Sequence, residues 1–567
     1  MVKSSAALLL AAATACRPDA TGEEVTPLEV TATALGPLSW RLDFSTDEPT
    51  TATALWWEGE GATPPERYAY VEDGAVALTH HDLHVYGLRP GRAHRVLVRA
   101  MGEDGAAYAS APLTIETPSV LPLPAHSNTA YAEVRLRTRV FAPRPDLMTP
   151  NTVIATNLAL SSVSQLAQVV IWDRRGHPVW THFTTDETRG GSGDVDVLLV
   201  NGEGADYRDD NGARALLVGG GIPADTRTAI VGLDHQVQQE GPVQGGFISN
   251  DGFMHHDLDL VDGVFVTLTT TMIGRDPSDW LVLHDPGFDP LVNADPRQGV
   301  LWDLVVSETL GTGYFSNSLG WDPDSATVTY YAKPEGILFA IDQATSEPRW
   351  VFGPGVARET WPEGVVTIDT VQDSAGCGDV WLAGAHHVQV DRVAGDGPDE
   401  VRVLAHDNGE GSIAVAERGY TRALEYRLDL ARGTADLLWA YPCGEPPHDA
   451  LEPLWYKDGI WGDIERVGDN VLLVSGEPWE EEDAEAPTVS VISELAPDYE
   501  AHSATLAWRM VLEADDGQDD LLFPGFYAGQ AIRGLWGQAG GEDLDFAPDG
   551  EEPLVLSSWS NLVEGGW

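Results

Sequence analysis

Imidazole and guanidinium groups are concentrated in one stretch of the chain, residues 386–441. His387 opens it as the second of two adjacent histidines, His406 follows, and Arg418 and Arg422 come next. Donors of these types can stabilise the developing charge on an oxyanion. The chain has 33 basic residues against 89 acidic ones, so this concentration predicts a site for an anionic substrate.

The residues around these groups alternate between apolar and polar over 401–404 and 423–428. Alternation with a period of two predicts β-strands, and the run Asp407-Asn408-Gly409 between them predicts a tight turn. We therefore expect the ends of neighbouring strands to hold the imidazoles and the arginines.

The formal net charge of −56 limits the partners of the chain. Binding to nucleic acid, or to an anionic membrane surface through protein charge, requires a basic face. Neither is expected. The 567 residues include 59 Gly, 37 Pro and 19 Trp, which favours a β-rich, turn-rich molecule larger than one ordinary domain.

The N-terminus has the features of an export signal. Lys3 precedes a short apolar run, residues 6–13, and Ala15 stands before Cys16, which resembles a bacterial lipobox with Cys16 as the lipidated residue. We expect a lipoprotein signal over 1–16, or a plain secretory signal cleaved near Ala15. The lipid would be the only membrane contact, and the protein would reside in the bacterial cell envelope, outer-membrane anchored or periplasmic.

The two other cysteines, Cys377 and Cys443, flank the stretch described above. An even number of cysteines in an oxidising compartment is consistent with a disulfide. Two separate structural thiols remain the alternative.

After a tether at 17–26, short alternating segments predict a small β-sandwich over 27–117. The turn Gly87-Leu88-Arg89-Pro90-Gly91 and the strand after it resemble a fibronectin type III domain, with His94 in place of the usual Tyr. The nearby histidines are not expected to bind a metal, because adjacent strand residues point to opposite faces. These histidines are His80, His81 and His84. A Pro-rich linker follows at 118–134.

From residue 135 to 567 the chain shows a loose repeat, a turn containing Asp or Gly followed by a strand that closes on Trp. Repeated units of this kind predict a β-propeller. The closing residues are Trp180, Trp302, Trp350, Trp439 and Trp508. The fold class expected for the whole chain is all-β, a fibronectin-like β-sandwich followed by a β-propeller.

Four motifs occur in a fixed order: His-His-Asp at 255–257, His-His-Val-Gln at 386–389, His-Asp-Asn-Gly at 406–409 and Thr-Arg-Ala-Leu-Glu-Tyr at 421–426. This order resembles the arylsulfotransferase family over about residues 150–515. The resemblance implies an exported, six-bladed β-propeller. It also implies transfer of a sulfuryl group from an aryl sulfate to a phenol without a nucleotide donor or another cofactor.

The resemblance also implies roles for individual residues. A histidine attacks sulfur and forms a sulfohistidine, His256 and His387 donate or shuttle protons, and Arg422 holds sulfuryl oxygens. His448 is the candidate nucleophile. The remaining candidates for substrate binding are His255, Asn317, His406 and Asn408.

The chain departs from the family pattern at two positions. Ser316 replaces a histidine before Asn-Ser, and Val388 replaces the Asp that follows the second histidine of the family motif. The alternative interpretation makes Arg422 one half of an ion pair with Glu425, and the whole propeller a non-catalytic binding module of a surface lipoprotein that binds a ligand or a protein. A metal site is not expected, because 255–257 has no third and fourth ligands at suitable spacing.

Overall fold

The structure is a computed structural model. It describes residues 25–59, 61, 64–65, 68–72, 76–123, 133–160, 167–183, 198–200, 215–219, 228–232, 237–240, 253–261, 264–273, 276–284, 300–305, 318–356, 361–393, 396–397, 399–418, 420–444, 462–475, 489–514, 524–526, 529–533, 537–539 and 554–558. For the strands between 198 and 303 the description is of the backbone. Cys16, Asn317 and His448 lie outside the described residues, as do most of the tether and part of the linker.

The first eight strands form two layers around a core. They are β1 (Thr26–Leu28), β2 (Thr31–Gly36), β3 (Ser39–Glu58), β4 (Tyr68–Glu72), β5 (Leu78–Tyr86), β6 (Ala93–Gly102), β7 (Ala107–Ser110) and β8 (Leu113–Glu116). The first half of β3 pairs with β2 and β5, and its second half pairs with β4 and β6. The long strand β3 therefore belongs to both layers.

Alternation along β3 explains how the layers bury their core. Leu42 and Phe44 from its first half meet Ala54 and Trp56 from its second half, and each is almost fully buried. The histidines on β5 follow the same rule, since His81 is buried against the ring of Phe44 at 4.6 Å whereas His80 and His84 are on the opposite face.

The remaining strands follow in chain order. They are β9 (Val120–Leu123), β10 (Glu133–Phe141), β11 (Thr152–Leu160), β12 (Ala167–Trp172), β13 (Pro178–Phe183), β14 (Leu198–Val200), β15 (Ala215–Gly219), β16 (Thr228–Gly232), β17 (Val237–Glu240), β18 (Phe253–Val261), β19 (Val264–Ile273), β20 (Asp276–His284), β21 (Val300–Val305), β22 (Leu319–Asp322), β23 (Thr327–Ala332), β24 (Ile337–Asp342), β25 (Pro348–Phe352), β26 (Val366–Ile368), β27 (Val371–Asp373), β28 (Ala385–Asp391), β29 (Glu400–Asp407), β30 (Arg422–Asp429), β31 (Thr434–Tyr441), β32 (Asp463–Val467), β33 (Asn470–Ser475), β34 (Val489–Asp498), β35 (Ser503–Ala514), β36 (Pro524–Gly525), β37 (Gly529–Arg533), β38 (Gly537–Ala539) and β39 (Leu554–Ser558). One turn of 3₁₀ helix, Pro145–Leu147, lies between β10 and β11.

Within the described residues, these strands form six further sheets in a β-propeller arrangement. Each sheet is built on four antiparallel strands, and its innermost strand is β14, β18, β22, β28, β32 or β37. Each inner strand contacts the next one, and β37 contacts β14. The inner strands therefore surround a central axis, as expected of a propeller.

A tryptophan at the same structural position recurs in five of the six described sheets. The fourth strand carries it directly after the extra residue of a β-bulge in that same strand. The bulge leaves one residue unpaired and increases the local twist. The five are the residues that the sequence repeat identified, Trp180, Trp302, Trp350, Trp439 and Trp508. In the sixth described sheet Gln239 occupies the equivalent position, which hides that unit from the sequence repeat.

The C-terminal strands tie distant parts of the chain together. β37 supplies the innermost strand of the sheet that begins with β11, while β38 pairs with β4 of the first unit. β39 pairs with β10 and with β9, so part of the expected linker is a strand within a sheet. Among the described residues, we find no helix with the length and apolar character that crossing a membrane requires.

Candidate functional site

His387 lies near the beginning of the inner strand β28, with its side chain 26% exposed. Directly across on β29 is His406, which is fully buried. A second inner strand begins at Asp463 and a third at Gly529. The same end of the ring therefore gathers the imidazoles and the first residues of neighbouring inner strands.

The imidazole of His387 is bound to a carboxylate from the next sheet. Its Nδ1 lies 2.8 Å from Oδ1 of Asp463. The backbone N–H of Ile464 donates to the same oxygen at 2.7 Å, and the N–H of Gly529 donates to Oδ2 at 3.1 Å. Burial alone would raise the pKa of Asp463, but the interactions with His387 and the two N–H groups outweigh it and hold that pKa below its ordinary value.

His406 is confined by the backbone of the next sheet. Gly462, which immediately precedes β32, has a φ of +134° and lies against the imidazole ring. A Cβ atom at this position would overlap ring atoms of His406. Glycine is therefore required both by the backbone conformation and by the close approach of the ring.

Arg422 is engaged by acceptors of the protein itself. Its Nη1 and Nη2 donate to the carbonyl oxygens of Asp379 and Trp381, each at 2.9 Å, and its Nε lies 3.3 Å from Asp407 Oδ2. Arg418 also donates to Asp407 and, at 2.8 Å, to the carboxylate of Asp379. These arginines hold the loop 374–384 that leads into β28.

The ion pair between Arg422 and Glu425, the alternative to a substrate-binding role for Arg422, is not formed. The two residues are three apart on β30, so their side chains point to opposite faces of the strand. Arg422 pairs with Asp407, whereas Glu425 faces Arg466 of the neighbouring sheet.

A disulfide further fixes the loop that leads into β28. Cys377 is bonded to Cys443, with their Cα atoms 5.1 Å apart. Cys377 follows β27 and Cys443 follows β31, two strands that pair in parallel at the outer edge of their sheet. The backbone N–H of Ala383 also donates to Asp407 Oδ1 at 2.8 Å. The segment before His387 is thus attached by a covalent bond and by buried polar contacts.

The predicted tight turn at Asp407-Asn408-Gly409 was wrong in extent. β29 ends at Asp407, and the next strand begins only at Arg422, so a loop of residues 408–421 connects them. Asn408 is buried, with its carbonyl oxygen 3.2 Å from the Thr421 hydroxyl that donates to it. Gly409 has a φ of +78°, and a Cβ there would lie 2.5 Å from the carbonyl oxygen of Tyr420.

A second group of charges lies between the same two sheets. Both oxygens of the buried Glu425 accept hydrogen bonds, from Arg466 Nη2 at 2.8 Å, Trp439 Nε1 at 2.8 Å and the hydroxyl of Tyr499 at 2.9 Å. Arg402 approaches it to 3.4 Å. Every strong donor in this group faces an acceptor, so the group resembles an internal support more than a binding site.

For two further candidates from the sequence, His255 and His256, the structure gives only the position of the backbone. His255 and His256 are the third and fourth residues of the inner strand β18, a position equivalent to that of His387 on β28. The description there covers the backbone only. Among the described residues, no cluster of three His, Cys, Asp or Glu side chains could hold a metal ion.

Sequence reasoning missed Asp463 and Gly462. Both lie on the sheet that follows β28–β31, far along the chain from His387. No local motif marks them, because their importance arises only when two sheets become neighbours around the ring. A carboxylate at the first residue of an inner strand is the one signal that the sequence offered.

Comparisons with known proteins found solved structures that are similar to this chain at low sequence identity, including the following three. No protein-family model matches the chain, and no curated protein matches it. A putative 6-phosphogluconolactonase from Bacteroides uniformis is 11% identical, with 86% of this chain and 100% of that chain covered and a TM-score of 0.31. Hsv2 from Kluyveromyces lactis is 8% identical, with 74% and 94% covered and a TM-score of 0.27. The Cps50 (Swd1) β-propeller domain from Myceliophteria thermophila is 10% identical, with 67% and 99% covered and a TM-score of 0.25.

Proposed function

We propose that this chain is an exported arylsulfotransferase-like enzyme that moves a sulfuryl group from an aryl sulfate to a phenol. The observation that carries the proposal is the position of His387, partly exposed at the beginning of an inner strand and in contact with an ionised carboxylate. A histidine in this setting can exchange protons with a substrate in the central channel.

The proposed chemistry has two balanced steps. In the first, the nitrogen of a nucleophilic histidine forms a bond to sulfur while the bond from sulfur to the aryl oxygen breaks, and protonated His387 gives its proton to the leaving phenolate. In the second, neutral His387 takes the proton of the acceptor phenol as its oxygen attacks sulfur and the N–S bond breaks. The ionised Asp463 stabilises the imidazolium form of His387, which is present before the first step and again after the second. His448 stays the predicted nucleophile, outside the described residues.

The proposal includes a finer account of the fold. We infer that the six sheets are the blades of one six-bladed propeller and that the N-terminal unit is a fibronectin type III-like spacer. The hydrogen bond from His94 Nε2 to the carbonyl oxygen of Arg89, at 3.1 Å, supports the spacer, because Tyr makes such a bond at the corner of related sandwiches. The signal, the lipid on Cys16 and the cell-envelope location stay predictions.

One observation favours the alternative, a binding module without catalysis. Arg422 has three of its donors on acceptors of the protein and is fully buried, so it is poorly placed to hold a sulfuryl oxygen. On this alternative the propeller would bind a ligand at the same end of the ring and release it unchanged.

The test is turnover of a chromogenic aryl sulfate with a phenol acceptor by the purified protein. We expect acceptor-dependent release of the coloured phenol, and a decrease in kcat of at least about 100-fold in His387→Ala, the lower end of a general acid-base contribution. His80→Ala, on the exposed face of β5, is the matched control and should keep full activity. A folded wild-type protein that releases no phenol and yet binds the aryl sulfate would establish the binding module instead.

A further inference from the structure

The inner strand β37 has one paired edge and one open edge. Its paired edge bonds to β11, which closes the ring. On the open edge, the N–H of Gly529 donates to Asp463 Oδ2 and the N–H of Ala531 donates to Glu465 Oε2, both at 3.1 Å. Alternate N–H groups of a strand point to the same side, so two carboxylates two residues apart on β32 match them.

The two carboxylates differ in what their other oxygen binds. Glu465 uses its other oxygen to accept from the side chain of Gln530 at 3.2 Å, whereas Asp463 uses its other oxygen on His387 Nδ1 and on the N–H of Ile464. An ionised carboxylate can only accept hydrogen bonds. The proton of neutral His387 is therefore held on Nδ1, which makes Nε2 the basic nitrogen.

We propose that Asp463 is the positioning residue of His387, and that the ring-closing strand β37 holds it in place. Gly529 lies on β37 and its N–H donates to Asp463. The tautomer of His387 therefore depends on the pairing of β37 with β11, which closes the ring. The catalytic consequence rests on the proposed function, but the fixed tautomer does not.

Glu465 serves as the control for substitutions of Asp463. It makes the same kind of bond to β37 as Asp463 does but is bonded to Gln530 where Asp463 is bonded to His387. In Asp463→Asn, the amide group must turn its NH₂ toward either the imidazole N–H or a backbone N–H, so donor faces donor. In Glu465→Gln, the amide oxygen can still accept from Ala531.

The experiment compares Asp463→Asn with Glu465→Gln in the full chain labelled with ¹⁵N-histidine. The ring signals of His387 are identified by their loss in His387→Gln. We expect wild type and Glu465→Gln to carry the proton of neutral His387 on Nδ1, and Asp463→Asn to show a mixture of both tautomers. An unchanged tautomer in folded Asp463→Asn would overturn the proposal.

Kinetics supply a second and independent readout. With an aryl sulfate and a phenol, Asp463→Asn should decrease kcat by about 10- to 100-fold with KM changed less than about 2-fold, as for the loss of an orienting partner. Glu465→Gln should change neither by more than about 2-fold. Equal losses in the two variants would overturn the positioning role. If the wild type shows no turnover and the tautomer is fixed by Asp463, the proposed function fails while this inference is supported.

Discussion

Two groups of charged side chains occupy the same seam, between the sheet of β28–β31 and the sheet of β32–β35. One group centres on Glu425, whose partners Arg402 and Arg466 are themselves paired with Asp396 and Asp391. The other centres on His387 and Asp463. Asp463 and Arg466 are on the same strand, so the two groups share a scaffold and differ in how their charges are compensated.

This difference in charge compensation indicates that the Glu425 group stabilises the fold and that the His387 group can take part in a reaction. Around Glu425 each charge has an opposite charge and a hydrogen bond at close range, which is the condition under which burial of charge is tolerated. Around His387 the carboxylate of Asp463 faces an imidazole that is 26% exposed to solvent. A titratable group with an accessible face can change its protonation during a reaction. The four predictions below test this difference between the two groups.

The largest effect should come from Glu425→Gln. Removing this buried charge leaves Arg402 and Arg466 with a neutral partner, and the loss of one member of a buried ion pair costs about 3–5 kcal/mol. The expected result is a lower free energy of unfolding in urea, followed by Trp fluorescence, with activity per folded molecule unchanged. Asp436→Asn is the control, because the side chain of its partner Arg427 is 42% exposed, and it should cost less than about 1 kcal/mol. A fall in kcat of the folded Glu425→Gln protein would contradict a purely structural role for the Glu425 group.

The disulfide should have the next largest effect. Replacing both Cys377 and Cys443 by Ser removes a cross-link between residues 66 apart in sequence and should lower stability by about 2–4 kcal/mol. The loop before His387 keeps its contacts to Arg422 and, through the N–H of Ala383, to Asp407, so kcat should decrease less than about 10-fold. Thermal unfolding and turnover, measured with and without reductant on the wild type, provide the check. A complete loss of activity at unchanged stability would instead make the disulfide part of the site.

Gly462→Ala should affect the site more than the stability. The new methyl group overlaps the ring of His406, and overpacking of this kind costs about 1–3 kcal/mol. Gly355→Ala is the matched control, since Gly355 also has a positive φ, +72°, but no heavy atom within 4 Å of the added Cβ. We expect both variants to lose stability through backbone strain, and only Gly462→Ala to lose activity when assayed at equal folded concentration. Equal activities would exclude His406 from the site.

The smallest effect should lie far from the seam, at His94. Burial lowers the pKa of His94 from 6.5, with Arg89 and Arg92 acting in the same direction and the Arg89 carbonyl oxygen and Glu58 opposing them. The folded state therefore favours the neutral ring, so its stabilisation is complete above pH 6.5 and is lost as the pH falls toward the lowered pKa. Between pH 7.5 and 5.5 the loss is at most about 1.4 kcal/mol for one proton.

The measurement for His94 is the pH dependence of thermal unfolding of the first unit, with His94→Tyr as the comparison. Tyr can donate to the same carbonyl oxygen without titrating in this range, so the pH dependence should become smaller. An unchanged dependence in His94→Tyr would assign the titration to another group.

Several features of the fold could be predicted from the sequence because they are local. Period-two alternation predicted the strands around His387 and Arg422, and the recurring Trp predicted a β-propeller. The unit with Gln239 was missed because its side chain does not show the pattern, although its backbone does. Local patterns thus predict strands and repeats but not the one unit that departs from them.

The candidate site was predictable only in its residue types. His387 and His406 were identified, since imidazoles stand out in an acidic chain. The partner of His387 was not, because Asp463 becomes its neighbour only through the arrangement of sheets around the ring. The ion pair considered as an alternative for Arg422 does not form, since Glu425, although near in sequence, lies on the other face of the strand.

The pairing of β37 with β11 joins residues near 155 to residues near 531. Contacts so distant in sequence form late and slow the folding reaction, because a long loop must close before they are made. Until the C-terminal strand arrives, β11 presents an unpaired edge that can recruit strands from other molecules. A chain synthesised from its N-terminus carries that exposed edge until the residues near 531 have been added. A chaperone that shields β-strand edges should therefore increase the yield of folded protein.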